Sequence, residues 1–243
     1  MEDRCVYDFS GKVVLVSGAS GNLGQAVARA FHAAGANLVL LDRVPGRLQG
    51  LYPELAESSD YLLLGSVDAT DAGSVDQAVQ TAVAHFGHLD VLANTIGGYR
   101  AGTAVHETTF ETWDLLQNLN LRPAFVLSRA VVPTMLEQGS GKIVHTAARA
   151  ALKGGAKSAA YSVSKSGVVR LVESLAAELR QKGINANCVL PGTIDTPQNR
   201  ESMPNANHSR WVSPQAIADV FLFLASDASR AVNGAAIPAY GQS

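Results

Sequence analysis

The stretch that decides the fold is VVLVSGASGNLGQAVARA, residues 13–30. It opens with four apolar residues, three of them β-branched, as in a strand that is buried on both faces of a parallel sheet. Gly18, Gly21 and Gly24 follow at intervals of three, which permits a sharp turn, close approach to a pyrophosphate and tight packing of a helix on the strand. Free amides at the start of that helix favour an anion. The stretch predicts a dinucleotide-binding unit, although an ordinary strand-to-helix turn would have a similar pattern.

The rest of the chain repeats this alternation. Strand patterns cover residues 37–42, 61–65, 90–93, 142–147, 184–190 and 234–240, and helix patterns cover residues 22–34, 71–86, 109–138, 158–182 and 213–225. Pro123 and Pro133 are expected to bend or divide the third of these helices. The alternation predicts one domain over residues 1–243, a three-layer doubly wound α/β Rossmann fold whose parallel sheet of about seven strands has helices on both faces. The polar segment 193–212 is predicted to be a loop that serves as a lid over the substrate.

Composition and charge limit the classes of function. The net charge is −2 and there is no Lys/Arg cluster, so neither nucleic acid nor a membrane is expected as a partner. Because the N-terminus does not resemble a signal peptide, we expect a cytoplasmic protein. Cys5 and Cys188 are too few for a disulfide framework. His85 and His88 have no further ligand in their pattern, so no metal is expected, and His145 is interpreted as a core or supporting imidazole.

In a doubly wound sheet, ligands bind beyond the carboxyl ends of the strands. Asp42, Asp68, Asn94 and the turn 97–100 are expected along that edge. Asp42 ends the second strand, about where a dinucleotide-binding unit places the carboxylate that bonds the adenosine ribose. A carboxylate there would repel a 2′-phosphate by about 1 to 4 kcal/mol, which favours NAD over NADP. Arg43 could pair with that phosphate, so NADP stays possible.

Tyr161 and Lys165 are four residues apart in a helix pattern, so they project from one face. A free tyrosine titrates near pH 10, too high for ready proton exchange at neutrality. A neighbouring ammonium favours the phenolate, and we therefore expect the Tyr161 pKa to be lowered. The pair could then donate a proton to a substrate or accept one from it. Taken alone, the spacing also occurs by chance in many helices.

Several motifs occur in one order along the chain: the glycine turn, Asp42, Asp68, the turn at residues 94–97, Asn120, YSVSK at residues 161–165, and Pro191 with Gly192. Together they resemble the short-chain dehydrogenase/reductase (SDR) family, and the resemblance covers essentially the whole chain. It implies an enzyme that uses NAD(P) on a small-molecule substrate. It also implies a homodimer or homotetramer that associates through the helices predicted at 109–138 and 158–182.

The resemblance also implies roles for individual residues. Tyr161 would be the general acid/base, and Lys165 would activate it and bind the nicotinamide ribose. Asn120 would anchor a water that relays protons, although a helix-interior amide bonded to backbone is the alternative. Asp68 would accept from the adenine amine, with a helix N-cap as its alternative. The coenzyme would contact Gly18, Ser20, Gly21, Asn22, Leu23, Gly24, Asp42, Arg43, Asp68, Ala69, Asn94, Lys165, Pro191, Gly192, Thr193, Ile194 and Thr196.

The chain departs from the family pattern at three points. Asn22 stands where the family has its middle glycine, and the Asn-Asn-Ala-Gly turn reads Asn-Thr-Ile-Gly at 94–97. Ala148 occupies the position of the catalytic serine. Losing a comparable preorganised donor costs about 3 to 4 kcal/mol. Thr146 and Ser158 are nearby hydroxyls, but neither is at the right point of the loop.

These departures resemble one branch of the family, the dihydropteridine reductases, which also have an alanine at the serine position. The turn Gly97, Gly98, Tyr99 and the segment 194–211, which ends at Trp211, resemble the substrate-binding parts of that branch. The branch would reduce a quinonoid dihydropteridine, whose conjugated ring spreads the incoming charge. Two alternatives stay open: a carbonyl or alcohol oxidoreductase that works without the serine, and a dinucleotide sensor without turnover.

Overall fold

The computed structural model describes residues 7–55 and 58–242. Cys5 lies outside these residues. Seven strands form one sheet in the order β3-β2-β1-β4-β5-β6-β7, and every pairing is parallel. The strands are β1 Val13–Ser17, β2 Asn37–Leu41, β3 Tyr61–Leu64, β4 Val91–Asn94, β5 Gly141–Thr146, β6 Ile184–Pro191 and β7 Ala236–Ala239. The predicted doubly wound fold is confirmed.

Helices cover both faces of the sheet. They are α1 Asn22–Ala33, α2 Arg47–Leu51, α3 Ala72–Phe86, α4 Phe110–Leu116, α5 Arg122–Gln138, α6 Ala159–Leu179, α7 Pro197–Ser202 and α8 Pro214–Ala225. Alternate residues of β1 serve opposite faces, as the strand period requires. Val14 and Val16 pack in one cluster with Phe31 of α1 and Phe221 of α8, whereas Val13 and Leu15 pack in a second cluster with residues of α3 and α5. This two-sided burial is why the strand is an unbroken apolar run.

The helix predicted over residues 109–138 is divided, but not by its prolines alone. A π-helical turn, Gln117–Leu121, separates α4 from α5. Pro123 lies in the first turn of α5, where a missing N–H is tolerated. Pro133 lies inside α5 and does not end it, so of the expected bend or division the division at Pro133 is wrong. The π turn carries Asn120, and such turns are frequent at functional sites.

The predicted lid, residues 193–212, contains more structure than a loop. Thr196 caps α7, which starts with Pro197, and a single turn of 3₁₀ helix spans His208–Arg210. An isolated bridge between Ile194 and Val212 closes the base of the segment. The segment therefore leaves the sheet edge and returns to it as one anchored unit.

Candidate active site

The carboxyl ends of the strands bring the candidate residues together at one edge of the sheet. The neighbours β1 and β4 are not consecutive in sequence, so the topological switch point lies between them. The glycine turn follows β1 and the turn 94–98 follows β4. This is the crevice in which open α/β sheets bind their ligands.

The glycine turn is shaped to admit a phosphate group. Gly18 has a φ of +71°, and a Cβ at Gly24 would overlap the Gly18 carbonyl oxygen. Gly21 precedes α1 and contributes no side-chain cap, so no N-cap side chain occupies the amides of the first turn. Ser20 and Leu23 are buried within the same turn. These features fit a pyrophosphate at the start of α1.

Two side chains from elsewhere in the chain, Tyr52 and Gln198, hold the glycine turn. The buried Tyr52 hydroxyl donates to the Ala19 carbonyl over 2.7 Å. Asn22, which replaces the family's middle glycine, donates through Nδ2 to Gln198 Oε1 of α7 over 2.7 Å. The departure at Asn22 therefore links the turn to the lid. Neither partner had a signal in the local sequence, because both contacts are long-range.

The acidic residues lie at the same edge. Asp42 Oδ1 accepts from the Val44 amide over 2.8 Å, and Arg43 beside it is exposed. Asp68, next to Ala69, accepts from the amide and the hydroxyl of Thr70, and these bonds lower the pKa of its carboxyl. The N-cap of α3 is Asp71 and not Asp68, so the capping alternative for Asp68 is wrong.

Asn94 lies beneath the turn that it opens. Its Oδ1 accepts from Ser17 Oγ over 2.8 Å and from the Ile96 amide over 3.1 Å, and its Nδ2 lies 3.0 Å from His145 Nδ1. The side chain is buried. It supports the turn from within the protein, and its expected contact with the coenzyme stays a prediction.

Asn120 ties the π turn to the loop after β4. Its Oδ1 accepts from the Gly98 amide over 2.9 Å, and its Nδ2 donates to the Gly98 carbonyl and to Ser164 Oγ, each over 3.1 Å. A Cβ at Gly97 would lie 2.6 Å from Lys165 Nζ and 3.0 Å from Asn120 Oδ1. The missing side chain at Gly97 is what lets this loop pack against both residues. The backbone bonds expected as the alternative role of Asn120 are present.

Lys165 and Tyr161 lie on α6. Lys165 is 3% exposed, its Nζ donates to the Thr146 carbonyl over 2.9 Å, and burial lowers its pKa to about 8. Burial and, to a smaller extent, Tyr99 raise the pKa of Tyr161 to about 12. The expected lowering of the Tyr161 pKa is therefore wrong for this structure. The phenol loses hydration on burial, and the ammonium is directed to Thr146.

The position of the family's serine is apolar. Ala148 is 7% exposed and has extended backbone, with φ −167° and ψ 161°. The nearby hydroxyls are engaged elsewhere: Thr146 Oγ1 donates to the Asn94 carbonyl and Ser158 Oγ to the Gly155 carbonyl, each over 2.9 Å. Neither replaces the missing donor.

Aromatic side chains flank the phenol and the lid. The Tyr99 ring is 73% exposed and meets the Tyr161 ring edge to face, with centroids 4.8 Å apart. Trp211 of the lid lies against His208, with centroids 4.4 Å apart. Among the other lid residues, Thr193 and Ile194 bond through their carbonyls to Val212 and Asn199.

Pro191 ends β6, and the Gly192 amide donates to the Ala239 carbonyl over 3.1 Å. The Thr196 hydroxyl accepts from the Asn199 amide as the α7 cap. Within residues 7–55 and 58–242, no group of three or more His, Cys, Asp or Glu side chains could hold a metal, and no helix is both long and apolar enough to cross a membrane.

The comparisons with known proteins agree with this geometry. A family model described as enoyl-(acyl carrier protein) reductase matches residues 18–241. The structure of a short-chain type dehydrogenase/reductase from Mycobacterium ulcerans superposes with a TM-score of 0.90 at 26% identity, covering 97% of this chain and 90% of the other. This chain belongs to the short-chain dehydrogenase/reductase family.

Other SDR relatives show the range of substrates. The 2-(R)-hydroxypropyl-CoM dehydrogenase of Xanthobacter autotrophicus is 35% identical, covering 93% of this chain and 96% of its own. The D-threitol dehydrogenase of Mycolicibacterium smegmatis is 33% identical, covering 94% and 92%. The structure of levodione reductase gives a TM-score of 0.88 at 30% identity, covering 96% and 97%. The protein is thus an SDR oxidoreductase with a nicotinamide coenzyme, and its dihydropteridine-reductase-like branch stays a prediction.

Proposed function

We propose that this SDR oxidoreductase transfers hydride from NADH to a planar, conjugated acceptor, and that quinonoid dihydropteridine is the first substrate to test. The observation that carries the proposal is Ala148 at the serine position, with the hydroxyls of Thr146 and Ser158 engaged in other bonds. An isolated ketone concentrates charge on one oxygen, where loss of a preorganised donor costs about 3 to 4 kcal/mol. A conjugated ring spreads that charge, so the missing donor matters less.

The aromatic side chains favour a planar substrate. Tyr99 presents a largely exposed ring beside Tyr161, and Trp211 lies on the lid. Aromatic rings gain from stacked or edge-to-face contacts at centroid distances of about 4.5 to 7 Å. Together with Gly97 and Gly98, whose lack of a side chain lets the loop after β4 pack closely, Tyr99 and Trp211 form the proposed substrate surface.

Tyr161 is the proposed proton donor. Because its pKa is about 12, it is protonated at neutral pH before the reaction. When bound, the reduced coenzyme supplies the hydride; the acceptor gains that hydride and the Tyr161 proton. The Lys165 ammonium stabilises the phenolate that forms. Asn120 holds the Gly98 backbone beside both residues, and the phenolate then regains its proton from solvent.

NADH is the proposed coenzyme because of Asp42. Its carboxylate lies at the end of β2, at the edge that binds the adenosine half, and it would repel a 2′-phosphate by about 1 to 4 kcal/mol. The glycine turn with Asn22 would hold the pyrophosphate, Asp68 the adenine, and Lys165 the nicotinamide ribose. The exposed Arg43 keeps NADPH as a second outcome of the test.

A second candidate, a carbonyl or alcohol oxidoreductase, is supported by the printed names of relatives, such as 2-(R)-hydroxypropyl-CoM dehydrogenase and D-threitol dehydrogenase. The experiment measures NADH oxidation with quinonoid dihydropteridine and with a panel of ketones, beside calorimetry of NADH binding. Turnover with the pterin and little with ketones is the expected result. Faster turnover with ketones would favour the second candidate. Tight NADH binding without turnover would instead indicate a dinucleotide sensor.

We also propose a single domain that forms a homodimer or homotetramer through α4, α5 and α6. Phe110, Trp113, Phe125 and Val163 on these helices are large apolar side chains with substantial exposure, which is typical of association surfaces. Sedimentation velocity would distinguish monomer from oligomer. The cytoplasmic location expected from the sequence stays a prediction.

A further inference from the structure

A line of buried side chains runs through the middle of the sheet from β1 to α5. Ser17 Oγ donates to Asn94 Oδ1 over 2.8 Å, Asn94 Nδ2 lies 3.0 Å from His145 Nδ1, and His145 Nε2 lies 2.8 Å from Ser128 Oγ. None of these four side chains is more than 2% exposed. The proposed reaction uses neither His145 nor Ser128, so their polar atoms at the centre of the protein need another explanation.

The direction of this hydrogen-bond chain is fixed at Asn94 by a backbone group. The Ile96 amide donates to Asn94 Oδ1 over 3.1 Å, so the amide nitrogen of Asn94 must face His145. His145 Nδ1 therefore accepts, and Nε2 carries the proton of the neutral ring. Nε2 donates to Ser128 Oγ, whose own proton goes to the Ala124 carbonyl over 2.7 Å. With the opposite direction, the Asn94 amide nitrogen would face the Ile96 N–H, and two donors would meet.

The imidazole keeps this form over a wide pH range. Burial and, to a smaller extent, the nearby Lys165 ammonium lower the pKa of His145 to about 3. A protonated ring would carry hydrogen on both nitrogens and could not accept from Asn94. The imidazole is therefore neutral, and the hydrogen-bond chain unchanged, throughout the neutral pH range.

The hydrogen-bond chain passes beneath the turn 94–98 at Asn94. Asn94 opens the turn that brings Gly97 against Lys165 Nζ and Gly98 onto Asn120. Thr146, the residue after His145, donates its hydroxyl to the Asn94 carbonyl and accepts from Lys165 Nζ through its own carbonyl. A rotation of the Asn94 amide would thus disturb the turn and the two residues packed against it.

We propose that His145 is a positioning residue for hydride transfer. It holds the orientation of the Asn94 amide, and through that amide it holds the turn 94–98 against Lys165 and Asn120. The inference rests on the proposed coenzyme site, since Gly97 of that turn packs against Lys165, the residue proposed to bind the nicotinamide ribose. His145 acts through Asn94 and touches neither coenzyme nor substrate.

Three variants separate positioning from simple support of the core. His145→Leu removes the acceptor for Asn94, and we expect at least a tenfold rise in the NADH dissociation constant together with a lower kcat. His145→Asn offers an amide oxygen near the position of Nδ1, so NADH binding should return to within about threefold of wild type. Ser128→Ala removes the hydroxyl that accepts from His145 Nε2. This variant should lower Tm and leave NADH binding unchanged. Equal NADH affinity in folded His145→Leu, or equal losses in Ser128→Ala and His145→Leu, would overturn the proposal.

The wild-type protein supplies a test that does not depend on any variant folding. Long-range ¹H–¹⁵N NMR of the histidine rings should show one ring that is the neutral Nε2–H tautomer and does not titrate between pH 5 and 9. A His145 ring that is protonated on Nδ1, or that titrates near pH 6.5, would overturn the proposal. If wild type bound no NADH at all, the proposed function would fail, whereas the NMR result would still test the hydrogen-bond chain.

Discussion

Replacing Ala148 by serine restores the hydroxyl that the family places beside its tyrosine. The backbone at this position is extended, which serine adopts without strain. A preorganised donor to a developing oxyanion is worth about 3 to 4 kcal/mol, or two to three orders of magnitude in rate. Because Ala148 also precedes a 3₁₀ turn, the new hydroxyl could cap a backbone amide of that turn instead. We therefore expect a gain of about ten- to a thousandfold in kcat/KM for ketones.

The assay is steady-state NADH oxidation with a ketone panel and with quinonoid dihydropteridine. The gain should appear with the ketones, whereas kcat/KM for the pterin should change less than about threefold, because its charge is already dispersed. Ala150→Ser is the matched control, since it adds a hydroxyl two residues further along the same 3₁₀ turn. High ketone activity in wild type that Ala148→Ser does not increase would refute the reasoning that links the missing donor to a conjugated substrate.

Three other predictions concern the coenzyme and the buried lysine. Asp42→Asn retains an oxygen for the Val44 amide but removes the charge, so kcat/KM with NADPH should rise about fivefold to several hundredfold; no change in coenzyme preference would contradict the role of Asp42. Gln198→Ala removes the bond to Asn22, and stopped-flow fluorescence should show NADH release accelerated about two- to tenfold, whereas the exposed Glu201→Ala on α7 should release NADH at the wild-type rate. Burial lowers the Lys165 pKa from 10.5 to about 8, so between these values the unfolded chain holds a proton that the folded chain has released, and stability from this group rises with pH. Lys165→Met should lose that rise in the free energy of unfolding, which is about 3 kcal/mol in full. Urea unfolding of wild type and variant at pH 7.5 and pH 10 measures it. The same stability difference between the two proteins at both pH values would contradict the lowered pKa of Lys165.

The fold could be predicted because its signals are local. The apolar run of β1 and the glycines after it are contiguous in sequence, and the helix periods between the strands leave little choice of topology. The start of α7 also had a local signal that the loop interpretation missed: Thr196 followed by Pro197 is a typical helix N-terminus.

The missed features depend on contacts between distant parts of the chain. The π turn at Gln117–Leu121 accompanies the bonds of Asn120 to Gly98 and Ser164, and no local sequence pattern predicts it. The sequence predicts the wrong direction for the Tyr161 pKa, because the spacing to Lys165 reveals a shared helix face but not the Thr146 carbonyl that accepts from the ammonium. Desolvation is likewise a property of the folded surroundings and not of the helix.

In the proposed reaction the Tyr161 phenol delivers the proton, and Tyr161 is not among the residues proposed to bind the coenzyme. The most direct test compares wild type and Tyr161→Phe by NADH titration and by turnover with quinonoid dihydropteridine. The variant should bind NADH within about threefold of wild type and lose about 10² to 10⁴ in kcat. A Tyr161→Phe enzyme with near-normal kcat would contradict the account.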